Sequence, residues 1–287
     1  MCAALPGAES QWPAPAKLNL FLHVTARRSD GYHDLQTLFQ LIDLADTIGI
    51  TLRADGRIER LTGPADISPE SDLTIRAARA LQAATGTTLG ANLRVRKRIP
   101  TGGGLGGGSS DAATTLLALN HLWGTDLSVA ELAAIGLTLG SDVPLFVRGA
   151  SAWAEGRGEA LEPVALPERW YAIVHPRVHV ATAAIFQAPE LTRNSPKITM
   201  RAFFQTGGRN DCEGVVRARF PEVAEALDWL ARFAPARLTG TGACVFAQFE
   251  RAIDAERVAA RVPERWTGFV ARGLNTSPVH ERLGLRT

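Results

Sequence analysis

Ile99-Pro-Thr-Gly-Gly-Gly-Leu-Gly-Gly-Gly-Ser-Ser-Asp111 places six glycines in thirteen residues. Ordered glycine costs backbone entropy, so a run this dense serves a conformation or a close approach that side chains would forbid. A strand-like run, Ala91 to Ile99, leads into it. A helical pattern, Ala112 to Trp123, leads out of it and stops at Gly124. Strand, glycine loop and helix start together make an anion site. Free N–H groups and the positive end of the helix dipole face the loop, and missing side chains let a phosphate come close. Two other readings compete. Gly102-x-Gly104-x-x-Gly107 matches the dinucleotide fingerprint, but a glycine run contains many such matches. The nearby acidic residues, Asp126 and Glu131, fall between two helical patterns and not at a strand end. A plain hinge leaves the two serines and the aspartate unexplained. No Gly-Lys-Ser or Gly-Lys-Thr occurs, so this is no Walker loop, and the protein-kinase signatures are missing.

The rest of the composition bounds what such a loop serves. The chain has 287 residues, 46% hydrophobic and 21% charged, enough for one large or two medium domains. A net charge of +2 gives no reason to expect nucleic acid as a partner. Cys2, Cys212 and Cys244 lie far apart, without metal-ligand spacing; scattered thiols fit a reducing compartment. With no signal peptide and no membrane-length apolar run, the expectation is a cytoplasmic protein without membrane contact.

Along the chain, residues 1 to 15 read as a loose leader. Ala16 to Val24 alternates as a strand, with Leu18, Leu20, Leu22 and Val24 on one face and Lys17, Asn19, Phe21 and His23 on the other. The second face is read either as solvated or as part of a site. Ser29-Asp30-Gly31 signals a hairpin turn. Leu35–Leu44 and Thr47–Arg53 read as two strands. Ser71 or Asp72 caps a helix ending at Gly86, and Ser128 to Glu131 forms a capping box for a helix ending at Gly140. A strand is expected over Leu145–Val147, and Thr182 is expected to cap a short helix to Phe186. Pro221–Phe233 and Arg251–Arg261 read as helices. Leu238-Thr-Gly-Thr-Gly-Ala243 is a second glycine turn feeding a strand, Cys244–Phe249, and Thr267–Ala271 is a last strand. A change in texture at residues 149 to 168 suggests a boundary, giving a nucleotide-binding half, 1–155, and a C-terminal half, 156–287. Helices and strands mix without strict alternation, so the fold class is α+β.

Phosphoryl transfer needs held phosphates, neutralised charge and an aimed acceptor hydroxyl. Asp142, after a helix stop, and Lys17 are candidates for the last two tasks. With an ordinary pKa of about 3.9, an aspartate cannot deprotonate an alcohol outright. It would orient the hydroxyl and take its proton late, with Lys17 stabilising both charges. Tyr32-His33, a ring and an imidazole beside a turn, suits stacking on a nucleobase and reading of its edge.

Three blocks, Pro15-Ala-Lys-Leu-Asn-Leu20, Pro100 to Ser110 and Leu238 to Ala243, resemble in order and spacing the GHMP small-molecule kinases. Gly31-Tyr-His-Asp-Leu-Gln-Thr-Leu-Phe39 and Gly140-Ser-Asp-Val-Pro144 are similar to the branch with a cytidine-linked acceptor. The resemblance implies two α+β halves with the site between them. It implies ATP and Mg²⁺ as cofactors and phosphorylation of the 2-hydroxyl of CDP-methylerythritol in the non-mevalonate isoprenoid route. It implies Lys17 and Asp142 as the catalytic pair. Pro100, Thr101, Gly102, Gly103, Gly104, Leu105, Gly106, Gly107, Gly108, Ser109 and Ser110 would hold the ATP phosphates. Asn19, Tyr32, His33, Thr182, Phe186, Gly240 and Gly242 would bind the acceptor. Two positions depart from the pattern. Asp111 stands where asparagine is common, facing either the helix side or the metal, and Gln187 stands where a lysine is often found. A mevalonate, homoserine or sugar kinase is the rival within the family, opposed by Tyr32-His33. An oxidoreductase and a non-catalytic ATP-binding regulator are the rivals outside it.

Overall fold

The 21-residue strand β2 (His33–Arg53) is the axis of the molecule. The computed structural model describes residues 7–65 and 67–285. Along one edge β2 pairs with β1 (Ser10–Arg27) from Ser10↔Ile50 to Arg27↔His33, closed by the Asp30-Gly31 turn. Its other edge is shared by three strands in turn. These are β5 (Ala152–Glu155) at residues 37–39, β10 (Thr267–Leu274) at 41–42 and β4 (Gly90–Arg96) at 47–53. Expected as two strands, β2 is one, because Ala45, Asp46 and Thr47 still pair with Pro15, Ala14 and Pro13 of β1; the junction is a register shift after Ile42 and not a turn.

The sheet runs β3 (Ile58–Thr62), β4, β2, β10, β7 (Trp170–His175), β9 (Val245–Phe249) and β8 (Ala236–Leu238), with β6 (Ala160–Pro163) hanging from β5. Only the β3–β4 pair is parallel among these ladders. One side of the N-terminal part carries α1 (Leu73–Thr85), α2 (Gly107–Trp123), α3 (Val129–Leu139) and α4 (Val143–Arg148). Leu81, Leu116, Leu119, Leu132 and Phe146 pack there on Leu41, Ile48 and Leu93. Further on come α5 (Thr182–Phe186), α6 (Met200–Thr206), α7 (Glu213–Arg219), α8 (Pro221–Leu230), α9 (Ala252–Ala259) and α10 (Pro278–Leu283). A second core joins Val216, Leu227 and Val258 to Val174 and Val245. Each such side chain contributes roughly 1.5–3 kcal/mol by leaving water. Among the described residues no helix is long and apolar enough to cross a membrane.

Several expectations change. The leader is not loose where it is described: Ser10–Pro15 belong to β1, and Trp12 is buried under α2 and α10 contacts of the first core. Residues 1–6 lie outside the described residues. The polar face of β1 is not solvated, since Lys17, Asn19, Phe21 and His23 are all buried. A register shift between Asn19 and Leu22 divides the aliphatic face, so Leu18 and Leu20 enter a central core while Leu22 and Val24 enter the second. Leu145–Val147 is helix, not strand. Pro144 sits in the first turn of α4, where its missing N–H would be unpaired in any case. A short apolar run buried on all sides carries no period to tell the two apart.

Candidate active site

Helix α2 begins earlier than the glycine run suggests. Gly106 is its N-cap, and Ser110 N–H donates the first helical bond to Gly106 O at 2.9 Å. Gly107, Gly108 and Ser109 therefore form the first turn, with N–H groups free for an anion. The run Pro100–Leu105 is the true loop, and it is bolted to the second glycine turn. Ala243 N–H donates to Gly102 O at 2.9 Å and Cys244 N–H to Gly103 O at 3.0 Å. Gly104 has φ +74°, and a Cβ there would lie 2.2 Å from Thr239 O, so no other residue fits.

These loops wall a cavity of about 440 Å³ together with Lys17, Asn19, Thr37, Asp142, Thr182 and Phe186. Lys17 lies next to the loop: its N–H donates to Leu105 O at 3.0 Å, and a Cβ on Gly106 would approach its Cε to 3.2 Å. Its ammonium is 3.6 Å from Asp142 Oδ2 and donates to Asn19 Oδ1 at 2.5 Å. Burial lowers the Lys17 pKa from its usual range, with the Asp142 carboxylate opposing the shift. Asn19 is fixed in turn, donating from Nδ2 to Thr37 Oγ1 at 2.9 Å and from its backbone to Thr239 Oγ1 at 3.0 Å. Asp142 ends its turn without capping α4, and its side chain is about one-third exposed. A cation, an amide and a free carboxylate thus converge beside a phosphate-sized opening.

The remaining expected residues fall in distinct places. Pro100 to Ser109 line the cavity, as does Gly240, whereas Ser110 is wholly buried behind the helix start. Gly242 supports the turn from behind, donating to Thr239 O at 3.0 Å. His33 stacks on Phe186, with ring centres 5.2 Å apart and planes inclined by 24°. Tyr32 is 55% exposed, with the Arg157 guanidinium 4.9 Å above its ring. Thr182 does not cap α5; Ala181 holds that position, and the Thr182 hydroxyl lies 3.0 Å from that of Thr241. Asp111 faces Lys97, which donates to it at 2.8 Å and to Asp46 at 2.5 Å. Burial, aided by the Asp46 carboxylate, pushes the Asp111 carboxyl up to about 7 against the pull of Lys97.

Other contributors carry no motif of their own. Arg157 and Lys97 line the cavity as cations, and Asn210 holds the second glycine turn by donating to Leu238 O at 3.0 Å and Gly240 O at 2.7 Å. Lys97 stood beside the loop in sequence, and that adjacency was a usable signal. Arg157, set between Gly156 and Gly158 and close to Tyr32 only in space, offered none.

Residues 72–150 match the family described as GHMP kinases N terminal domain, and residues 188–268 match GHMP kinases C terminal. The chain belongs to the GHMP kinases, which phosphorylate small molecules with ATP. It is 54% identical over 279 residues to a relative from Chromohalobacter salexigens, covering 95% of this chain and 94% of the relative. It is 56% identical over 272 residues to one from Alkalilimnicola ehrlichii, covering 95% and 94%. Both relatives are named 4-diphosphocytidyl-2-C-methyl-D-erythritol kinase. A crystal structure of 4-(cytidine 5'-diphospho)-2C-methyl-D-erythritol kinase superposes with a TM-score of 0.82 at 34% identity, covering 92% of this chain and 99% of the other. Mevalonate kinase from Methanococcus jannaschii, at 17% identity and a TM-score of 0.68 over 94% of this chain and 100% of the other, shares the fold.

Proposed function

We propose that this chain transfers the γ-phosphoryl group of ATP to the 2-hydroxyl of 4-diphosphocytidyl-2-C-methyl-D-erythritol. The observation that carries the reading is the Lys17–Asp142 pair facing the cavity that the glycine loop lines. The names of the relatives support the choice of acceptor. The glycine loop and the first N–H groups of α2 hold the ATP phosphates. Asp142 accepts a hydrogen bond from the acceptor hydroxyl and aims its oxygen at the γ-phosphorus. As the new O–P bond forms and the bond to the bridging β–γ oxygen breaks, the hydroxyl proton passes to Asp142. Lys17, 3.6 Å from Asp142, balances charge on the transferring group.

His33, Tyr32, Phe186 and Thr182 take the cytidine end, with Gly240 beside the substrate phosphates. Arg157 lies where a cation is wanted for a diphosphate, which offsets the neutral Gln187. No group of three or more metal-ligating side chains exists among the described residues. Magnesium, which keeps several waters and binds phosphate oxygens, would be held here mainly by the ATP phosphates beside the glycine loop. Bound there, it would neutralise phosphate charge. The halves 1–155 and 156–287 meet at this site, with the two family matches on either side of the boundary. Buried free thiols at Cys212 and Cys244 suit a reducing, cytoplasmic compartment.

Phosphorus NMR of the product tests the reading. A new phosphomonoester on the acceptor is expected; release of inorganic phosphate alone contradicts it.

A further inference from the structure

Arg193, half-buried in the loop after α5, has its guanidinium turned into the fold. Nη2 donates to Phe186 O at 2.9 Å and Ala188 O at 2.6 Å, and Nη1 donates to Leu191 O at 3.0 Å. These bonds satisfy carbonyls at and just past the end of α5; Ala188 O also accepts Leu191 N–H at 3.1 Å. The remaining bond goes elsewhere: Arg193 Nε donates to His33 Nε2 at 3.1 Å. Arginine stays protonated and offers no acceptor. His33 Nε2 therefore receives, and a neutral ring must carry its proton on Nδ1. The same guanidinium holds Phe186, through its carbonyl, against the His33 ring that stacks on it.

We infer that Arg193 is a positioning residue that locks His33 in the Nδ1–H tautomer, so that the ring meets the substrate base as a hydrogen-bond donor. The inference rests on the cytidyl-acceptor reading and adds a source of base specificity to it. Position 3 of cytosine carries a lone pair, and position 3 of uracil carries an N–H. A ring fixed as a donor pairs with the first and confronts the second with another donor. A ring free to exchange tautomers would accept either base. Selectivity for cytosine then comes from a residue that does not touch the base.

Histidine-selective nitrogen NMR on the full chain tests this, with His33 assigned through His33→Gln. The wild type should show a protonated Nδ1 and a bare Nε2 at His33, and Arg193→Met should show a mixture of tautomers. In steady-state assays Arg193→Met should raise KM for the cytidyl acceptor about tenfold, as expected for one lost hydrogen bond, with KM for ATP little changed. CDP should outcompete UDP against the acceptor in the wild type, and that preference should shrink about tenfold in Arg193→Met and recover in part in Arg193→Lys. A wild-type His33 with its proton on Nε2 overturns the inference, as does an Arg193→Met protein with unchanged tautomer and unchanged CDP preference. Should Arg193→Met fail to fold, the wild-type spectrum and the CDP-against-UDP competition decide alone. The spectrum is read without turnover, so a wrong acceptor and a wrong tautomer give different results.

Discussion

Lys17 Nζ lies 3.6 Å from Asp142 Oδ2, with the lysine buried and the aspartate open to the cavity. The pair is asymmetric in a useful way. The cation is fixed by Asn19 and the loop, while the carboxylate keeps a lone pair for a substrate.

Asp142→Asn keeps the size of the side chain and removes its proton-accepting charge. We expect kcat to fall by roughly 10²–10⁴, the usual worth of a positioned base. The ATP dissociation constant, by calorimetry, should change little, because the carboxylate acts on the acceptor. A variant with near-wild-type kcat would contradict the role given to Asp142.

His33→Ala should weaken the acceptor far more than ATP. Calorimetric titrations of the two ligands separate the effects; equal losses for both would remove His33 from base recognition.

Gly104→Ala puts a methyl 2.2 Å from Thr239 O at φ +74° and should cost more than about 2 kcal/mol, through both backbone strain and a broken contact between the glycine turns. Gly108→Ala, inside α2 with Leu73 Cδ1 at an ordinary 3.5 Å, should leave thermal stability equal or slightly higher. Similar melting temperatures for the two variants would show that the turns are not held together as described.

The Asp111 carboxyl is pushed up to about 7, against 3.8 in an unperturbed chain. Between these values the folded protein holds a proton that the unfolded chain has lost. The stability this gives is full below the lower value and fades as pH rises through the upper one. Asp111→Asn removes that dependence while Lys97 keeps its bond to Asp46. Melting curves from about pH 5 to pH 8 should show the wild type losing stability relative to the variant. Parallel pH profiles would contradict the buried, raised carboxyl.

The sequence was most legible where local chemistry fixes local structure. Asp72 caps α1 by accepting from Thr74 N–H, and the Ser128–Glu131 capping box starts α3, both as their side chains dictate. The two glycine motifs, Lys17 and Asp142 were readable as chemistry, and the structure brings them to one cavity. The start of α2 was not, because glycines at 107 and 108 disfavour a helix that tertiary packing nonetheless imposes. Pro144 and the apolar run after it hid α4 for a similar reason. Burial of both faces of β1 depends on partners far along the chain, as with Asn19 under Thr239 and Leu22 beside Asn210. Arg193 could not be read at all, since its meaning lies in carbonyls and a ring that only the fold assembles.

The most direct measurement is ADP release from Mg·ATP with four acceptors in parallel: CDP-methylerythritol, mevalonate, homoserine and galactose. Turnover with CDP-methylerythritol alone is the predicted result. Turnover with one of the others, and none with the cytidyl compound, would keep the phosphate site and contradict the proposed substrate.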